Sequence, residues 1–180
     1  IFIGILLGNA ALAYQPHLTY PYPLISDEYA HISLGERLSE DGVLPFTNPY
    51  FSAPTKHTNF ESGFHVLLAT LFTIIPGEPV LLYKYFVILF ALINSVLVFY
   101  VTRALTESNT AALSAMFFFG SIKSTSGLLA QQYFIPLTVG VTLLLLLFIF
   151  LHQLVTKKEK KYIALLIVTL LVTVLTYPPS

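Results

Sequence analysis

Three residues near the start of the chain carry side chains suited to acid–base chemistry: Asp27, Glu28 and His31. Asp27 and His31 are four residues apart, so a helix would place both on one face. A carboxylate held there could deprotonate an acceptor hydroxyl or amine. It could also hold a divalent cation, Mg²⁺ or Mn²⁺, that neutralises a leaving phosphate.

The same residues also have a purely structural interpretation. Acidic side chains in the first turn of a helix are stabilised by the helix dipole by about 0.3–1 kcal/mol. Taken alone, an Asp-Glu pair is more typical of a helix start than of a catalytic site. His31 alone is more typical of a surface histidine.

A short amphipathic helix, over about 27–40, is predicted to carry these residues. Ser26 is its predicted N-cap. Ala30, Leu34 and Leu38 repeat at four-residue spacing, which predicts one apolar stripe. Gly42 follows the helix and ends it. Such a helix is expected to lie along the membrane surface.

Composition indicates that the whole chain is a multi-spanning, all-α membrane protein. Of its 180 residues, 56% are hydrophobic and 10% charged, whereas soluble domains are about 25% charged. The net charge is zero, so the composition shows no excess of basic residues that would indicate nucleic-acid binding. The absence of cysteine excludes disulfides, thiol catalysis and cysteine-bound zinc. The chain does not begin with Met, and its first residue already lies inside an apolar run, so we expect a fragment of a longer protein.

Five apolar segments are predicted to cross the bilayer, because a spanning helix needs about 20 mostly apolar residues. They are 1–14 (the end of a first span), 84–103, 110–126, 133–152 and 162–177. The segment 64–76 is shorter and closes with Pro76-Gly77. It is predicted to be a juxtamembrane or re-entrant helix, with a short full span as the alternative.

Basic residues predict the orientation of these spans. Lys157, Lys158, Lys160 and Lys161 form a cluster that the positive-inside rule assigns to the cytoplasm. Arg103 lies two spans earlier and falls on the same side. Counting back places the loop 15–83 outside the cytoplasm. All acidic residues except Glu107 and Glu159 lie in this loop.

The order of motifs resembles the N-terminal part of the C-type fold (GT-C) membrane glycosyltransferases. An apolar span leads to DE-x-x-H-x-x-x-G-x-x-L-x-x-x-G, which begins at Asp27. LP-x-x-NPYF follows from Leu44, and F-x-SGFH-x-LLA-x-LF-x-x-IPG from Phe60. R-x-L-x-x-SNTAALSA, from Arg103, resembles a cytoplasmic turn of these enzymes. The superfamily includes oligosaccharyltransferases, protein O-mannosyltransferases and aminoarabinose transferases.

The resemblance implies a transferase that moves a sugar from a polyprenyl-phosphate donor to an extracytoplasmic protein, lipid or glycan. It implies that Asp27 is catalytic, with Glu28 next, and that the juxtamembrane helix helps to hold the polyprenyl phosphate. Further residues would line the same cavity: His31, Lys56, His57, Glu61 and His65.

One departure from the family concerns a second acid, which several members carry in a later external loop. Here the stretch 121–133 contains no acid, which puts a two-carboxylate metal site in doubt. Lys123 could face a donor phosphate instead, or anchor its helix at the interface.

Other functions stay open. A transporter or flippase usually carries ionisable residues within its spans, but here Asn94 and Ser95 are the main polar interruption. A non-catalytic membrane subunit would explain the missing acid. His17, His31, His57 and His65 share one loop, but no HxxxH or HExxH spacing links them, so no metal ligands are predicted.

Overall fold

The computed structural model describes residues 1–43, 61–122 and 131–177, and every regular element in these ranges is helical. The predicted all-α class is confirmed. The helices are α1 (Phe2–Tyr14), α2 (Ser26–Asp41), α3 (Ser62–Ile74), α4 (Pro79–Thr106), α5 (Asn109–Ser121), α6 (Pro136–Lys157) and α7 (Lys161–Thr176). A 3₁₀ turn, Gln15–Leu18, follows α1.

Two helices, α4 and α6, are long and apolar enough to cross a membrane. They contain 28 and 22 residues, or about 42 and 33 Å at 1.5 Å per residue, against a hydrocarbon core of about 30 Å. Each begins with a proline, Pro79 or Pro136, at a position where the missing N–H has no helical partner.

The other helices are shorter, with 13 residues in α5 and 16 in α7. Ser108 caps α5, because its side chain accepts a hydrogen bond from the N–H of Ala111 at 3.2 Å. The span predicted over 110–126 is helical to Ser121, and Lys123 lies outside the described residues.

α4 is the central helix of the bundle. Phe2 of α1 contacts Phe99, and Tyr14 stacks on Tyr85, so α1 runs antiparallel to α4. α6 runs parallel to α4, because Phe134 lies beside the start of α4 and contacts Phe90. The bundle therefore has two ends. We call them the Tyr85 end, where α4 begins, and the Arg103 end, where it finishes.

Buried amides join α4 to its neighbours. Asn9 of α1 donates to Ser95 Oγ and to the carbonyl of Met116, both at 2.9 Å. On the adjacent position of α4, Asn94 Oδ1 accepts from Thr142 of α6 at 2.6 Å. Each bond satisfies a polar group that would be costly to leave unpaired in an apolar interior. Asn94 and Ser95 therefore hold helices together.

An aromatic cluster closes the Tyr85 end. Phe134 is fully buried there and contacts Phe64, Tyr83, Phe86 and Phe90. Its carbonyl accepts a hydrogen bond from the Tyr83 hydroxyl. The segment before α6 is thereby fixed against the first turns of α4.

α3 stays at this end of the bundle. Phe64 at its start contacts Phe134, and Phe72 near its finish contacts Phe86. Both partners belong to the Tyr85 end, so α3 does not follow α4 towards Arg103.

Candidate functional site

Glu28 links α2 to the start of α6. Its side chain is fully buried, and Oε1 accepts from the N–H of Phe134 at 2.9 Å. Oε2 accepts from the N–H groups of Leu24, at 2.7 Å, and Ile25, at 3.4 Å. Burial raises the pKa of Glu28, although the three backbone donors favour its ionised form. Because both of its oxygens accept hydrogen bonds from backbone N–H groups, Glu28 holds the start of α2 against the segment before α6.

The start of α2 differs from the prediction. Ile25 is the N-cap, and Ser26 is already the first helical residue. The Glu28 side chain folds back onto the N–H of Ile25, as the third helical residue does in a capping box. Glu28 therefore accepts from N–H groups that precede the helix, whereas a capping Ser26 hydroxyl would have accepted from an N–H inside the first turn.

The buried face of α2 also differs from the prediction. It consists of Glu28, His31, Ile32 and Gly35, spaced as one helical face. The predicted stripe of Ala30, Leu34 and Leu38 is only partly buried. The buried face can carry polar groups because each of them has a partner on a neighbouring element. A pattern of apolar residues does not predict such partners.

Asp27 lies beside this face, because consecutive helical residues are about 100° apart. Its side chain remains 62% exposed, and Oδ2 is 3.5 Å from His31 Nε2. A hydrogen bond with His31 lowers the pKa of Asp27. The carboxylate is therefore charged, held by one partner, and open to a second one.

His31 meets α3 on its other side. Its Nδ1 lies 2.9 Å from His65 Nε2, so one ring donates to the other. Its Nε2 lies 3.8 Å from Glu61 Oε2. Both histidines are buried, with 5% of His31 and 1% of His65 exposed. Burial lowers the pKa of His65 to about 3 and raises the pKa of Glu61.

These contacts form one cluster of four side chains, Asp27, His31, Glu61 and His65, which we call the His–acid cluster. One ligand atom from each of His31, Glu61 and His65 can be chosen so that all three lie within 4.8 Å of one another. Searching for two histidines on one helix misses this group. The signal is a pair of acid–histidine repeats, D-x-x-x-H at 27 and E-x-x-x-H at 61.

Of the predicted site residues, Asp27, His31, Glu61 and His65 come together, whereas the oxygens of Glu28 accept from backbone N–H groups. Lys56, His57 and Lys123 lie outside the described residues. Glu28, predicted as the second catalytic residue, is fully buried and accepts from three backbone N–H groups.

Two cavities are formed by other parts of the bundle. One of about 690 Å³ lies at the Arg103 end, between α4 and α6, and includes His152. The other, about 340 Å³, is a groove between α2 and α3 bordered by Leu38, Val66 and Ile74. Neither of these two cavities includes Asp27.

Comparison of the sequence with models of protein families and with curated proteins finds no match, and comparison of the fold with solved structures finds none either.

Proposed function

We propose that the protein is an integral membrane glycosyltransferase that uses a polyprenyl-phosphate-linked sugar. The observation that carries the proposal is the state of Asp27: an exposed, ionised carboxylate paired with His31, on the first α-helix after α1 in the chain. An acid in this position is what a reaction between a lipid-borne donor and an aqueous acceptor needs.

In the proposed reaction an acceptor hydroxyl attacks the anomeric carbon of the donor sugar. The bond from that carbon to the phosphate oxygen breaks, and polyprenyl phosphate leaves with the electron pair. Asp27 takes the proton of the hydroxyl or stabilises the positive charge that develops on the sugar. Glu28 supports this role from behind, since its backbone bonds hold the first turn of α2 in place.

The arrangement of the helices supports a membrane setting for this chemistry. α4 and α6 would span the bilayer, with the shorter α1, α5 and α7 completing a multi-pass bundle. Arg103 and the start of the lysine cluster lie at the same end, and the His–acid cluster lies at the other. The positive-inside rule then puts the cluster on the extracytoplasmic side.

The groove between α2 and α3 supports a place for the donor lipid. Leu38, Val66 and Ile74 give it an apolar border, and Thr70 and Thr73 add hydroxyls. It runs along the juxtamembrane helix, so an isoprenoid chain rising from the bilayer would pass beside α3.

Substitution of Asp27 by Asn tests the proposal. Membranes with the full-length protein are given polyprenyl phosphate bearing a radiolabelled hexose, and transfer of label out of the lipid phase is measured. Loss of a general base should slow transfer by about 10²- to 10⁴-fold. Glu40→Gln is the matched control, because Glu40 is an exposed acid on the same helix.

Transfer by Asp27→Asn at the wild-type rate would overturn the proposal and favour a non-catalytic membrane subunit. Ion-coupled transport has less support. The polar groups within α4, Asn94 and Ser95, are already hydrogen-bonded to neighbouring helices, whereas transport sites keep polar groups available to their cargo.

A further inference from the structure

We propose that His31, Glu61 and His65 form a binding site for a transition-metal dication of the Zn²⁺ class, with Asp27 orienting His31. The site would join α2 to α3 at the Tyr85 end. It does not depend on the proposed sugar transfer, because a metal bound here could serve structure or catalysis.

The spacing of the ligand atoms suits a small dication. Zinc ligands lie about 2.0–2.1 Å from the metal, so neighbouring ligands of a tetrahedral site are about 3.4 Å apart. His31 Nδ1 and His65 Nε2 are 2.9 Å apart, and one atom from each of the three residues falls within 4.8 Å of the others. Movements of about 1 Å or less would centre a metal among them.

The types of ligand select the class of metal. Two imidazoles and one carboxylate favour Zn²⁺ and its first-row neighbours, whereas Mg²⁺ prefers oxygen ligands and retains waters. The site therefore differs from the Mg²⁺ or Mn²⁺ site that a lone carboxylate would offer at Asp27.

Asp27 completes the outer shell of the site. A metal-bound histidine usually donates its second ring N–H to a carboxylate, which fixes its tautomer and orientation. His31 has this geometry, with Nδ1 towards His65 and Nε2 at 3.5 Å from Asp27 Oδ2. Glu61 Oε2 lies 3.8 Å from the same Nε2, so Glu61 shares that side of the ring with Asp27. Asp27 would therefore orient His31 whether the bound metal serves structure or catalysis.

Helix packing holds the ligands before any metal arrives. α2 and α3 approach so closely at Gly35 that a Cβ atom there would lie 2.7 Å from Leu68 Cβ. Phe64 packs edge-on against His31. Glu61 is the N-cap of α3, four residues before His65, and both side chains lie beside His31. A site built on two closely packed helices keeps its ligands near their bound positions.

Three protein ligands leave one position of a tetrahedral metal open. The cluster is reached by solvent on the side of Asp27, which is 62% exposed, and of Glu61, which is 33% exposed. A water or an anionic oxygen could therefore occupy the fourth position. This is the pattern of a site that handles a ligand, because closed structural zinc sites use four protein ligands.

Metal analysis of the full-length protein tests the proposal. The protein is purified in detergent with an affinity tag that lacks histidine, stripped with chelator, equilibrated with Zn²⁺ and desalted before elemental analysis. We expect about one Zn²⁺ per chain in the wild type and less than about one-tenth in His65→Gln or Glu61→Gln. His152→Gln, at the Arg103 end, is the histidine control and should keep the full amount.

A second measurement guards against variants that merely unfold. Co²⁺ bound to the wild type should give the visible absorption of a tetrahedral N/O site, and Zn²⁺ should displace it. Asp27→Asn, on an exposed residue, should weaken Zn²⁺ binding by about 10- to 100-fold while the protein stays folded.

Wild-type protein that retains no Zn²⁺ above the level of His65→Gln would overturn the metal site. The same conclusion would follow if His65→Gln, Glu61→Gln and Asp27→Asn bound as much Zn²⁺ as the wild type. Sugar transfer is assayed separately, so a metal-binding protein with active Asp27→Asn would contradict only the proposed function. A metal-free protein that loses transfer in this variant would contradict only the metal site.

Discussion

Replacing the carboxylate by an amide should destabilise the protein strongly at Glu28 and only slightly at its neighbour Asp27. Glu28→Gln keeps the size of the side chain but turns one acceptor oxygen into an amide NH₂. In the folded protein Oε1 faces the N–H of Phe134, and Oε2 faces those of Leu24 and Ile25. Whichever way the amide is turned, at least one buried backbone N–H meets another donor.

The size of the effect follows from the number of bonds affected. A buried donor left without its acceptor costs about 1–3 kcal/mol. The amide NH₂ is a second unsatisfied group of similar cost, and relief of the buried charge offsets part of the total. We therefore expect Glu28→Gln to destabilise the protein by about 2–4 kcal/mol. For a chain of this size, that lowers the melting temperature by roughly 4–16 °C.

Asp27→Asn is the matched control. Its side chain is 62% exposed and pairs only with His31 among the ion pairs of the described residues, so the change should cost about 1 kcal/mol or less. Thermal unfolding of both variants in the same detergent, followed by circular dichroism, compares the two positions directly.

The reasoning would be refuted by a Glu28→Gln protein that melts within about 2 °C of the wild type but has lost sugar transfer. Glu28 would then be a catalytic acid after all. Stability loss in Glu28→Gln, together with activity loss confined to folded Asp27→Asn, would support the division of roles.

The remaining predictions concern burial and packing. Because burial depresses the pKa of His65 from 6.5 to about 3, only the unfolded state takes up this proton between those values. In metal-free protein, stability should thus fall by about 2 kcal/mol as the pH drops from 6.5 to about 5, and His65→Gln should flatten that slope in a pH series of melting curves. Gly35→Val should force α2 and α3 apart at Leu68 and lower the melting temperature by roughly 4–12 °C, with loss of Zn²⁺ binding. Asn9→Leu should cost about 1–3 kcal/mol, because it removes two interhelical hydrogen bonds; Gly120→Ala should be destabilising too, since a methyl there collides with the Asn9 amide.

Much of the local structure could be predicted from the sequence. The long apolar runs predicted α4 and α6, and Pro136 lies in the first turn of its helix, where proline is tolerated. The connection at Ser108 and the glycine ending α2 also follow from residue type, since Gly42 adopts φ 67°. The common face of Asp27 and His31 follows from helical spacing. All these features depend on neighbours within about four residues, which the chain itself fixes.

The roles of the polar residues depended on contacts between distant segments. His31 and His65 are 34 residues apart, and Glu28 and Phe134 are 106 apart. Helical periodicity predicts which residues share one face of a helix. It does not predict which other helix will pack against that face. That was decided by the close approach at Gly35 and by the aromatic cluster around Phe134. Packing thus buried Glu28 against backbone N–H groups and left Asp27 open to solvent, because α2 is buried along one face only.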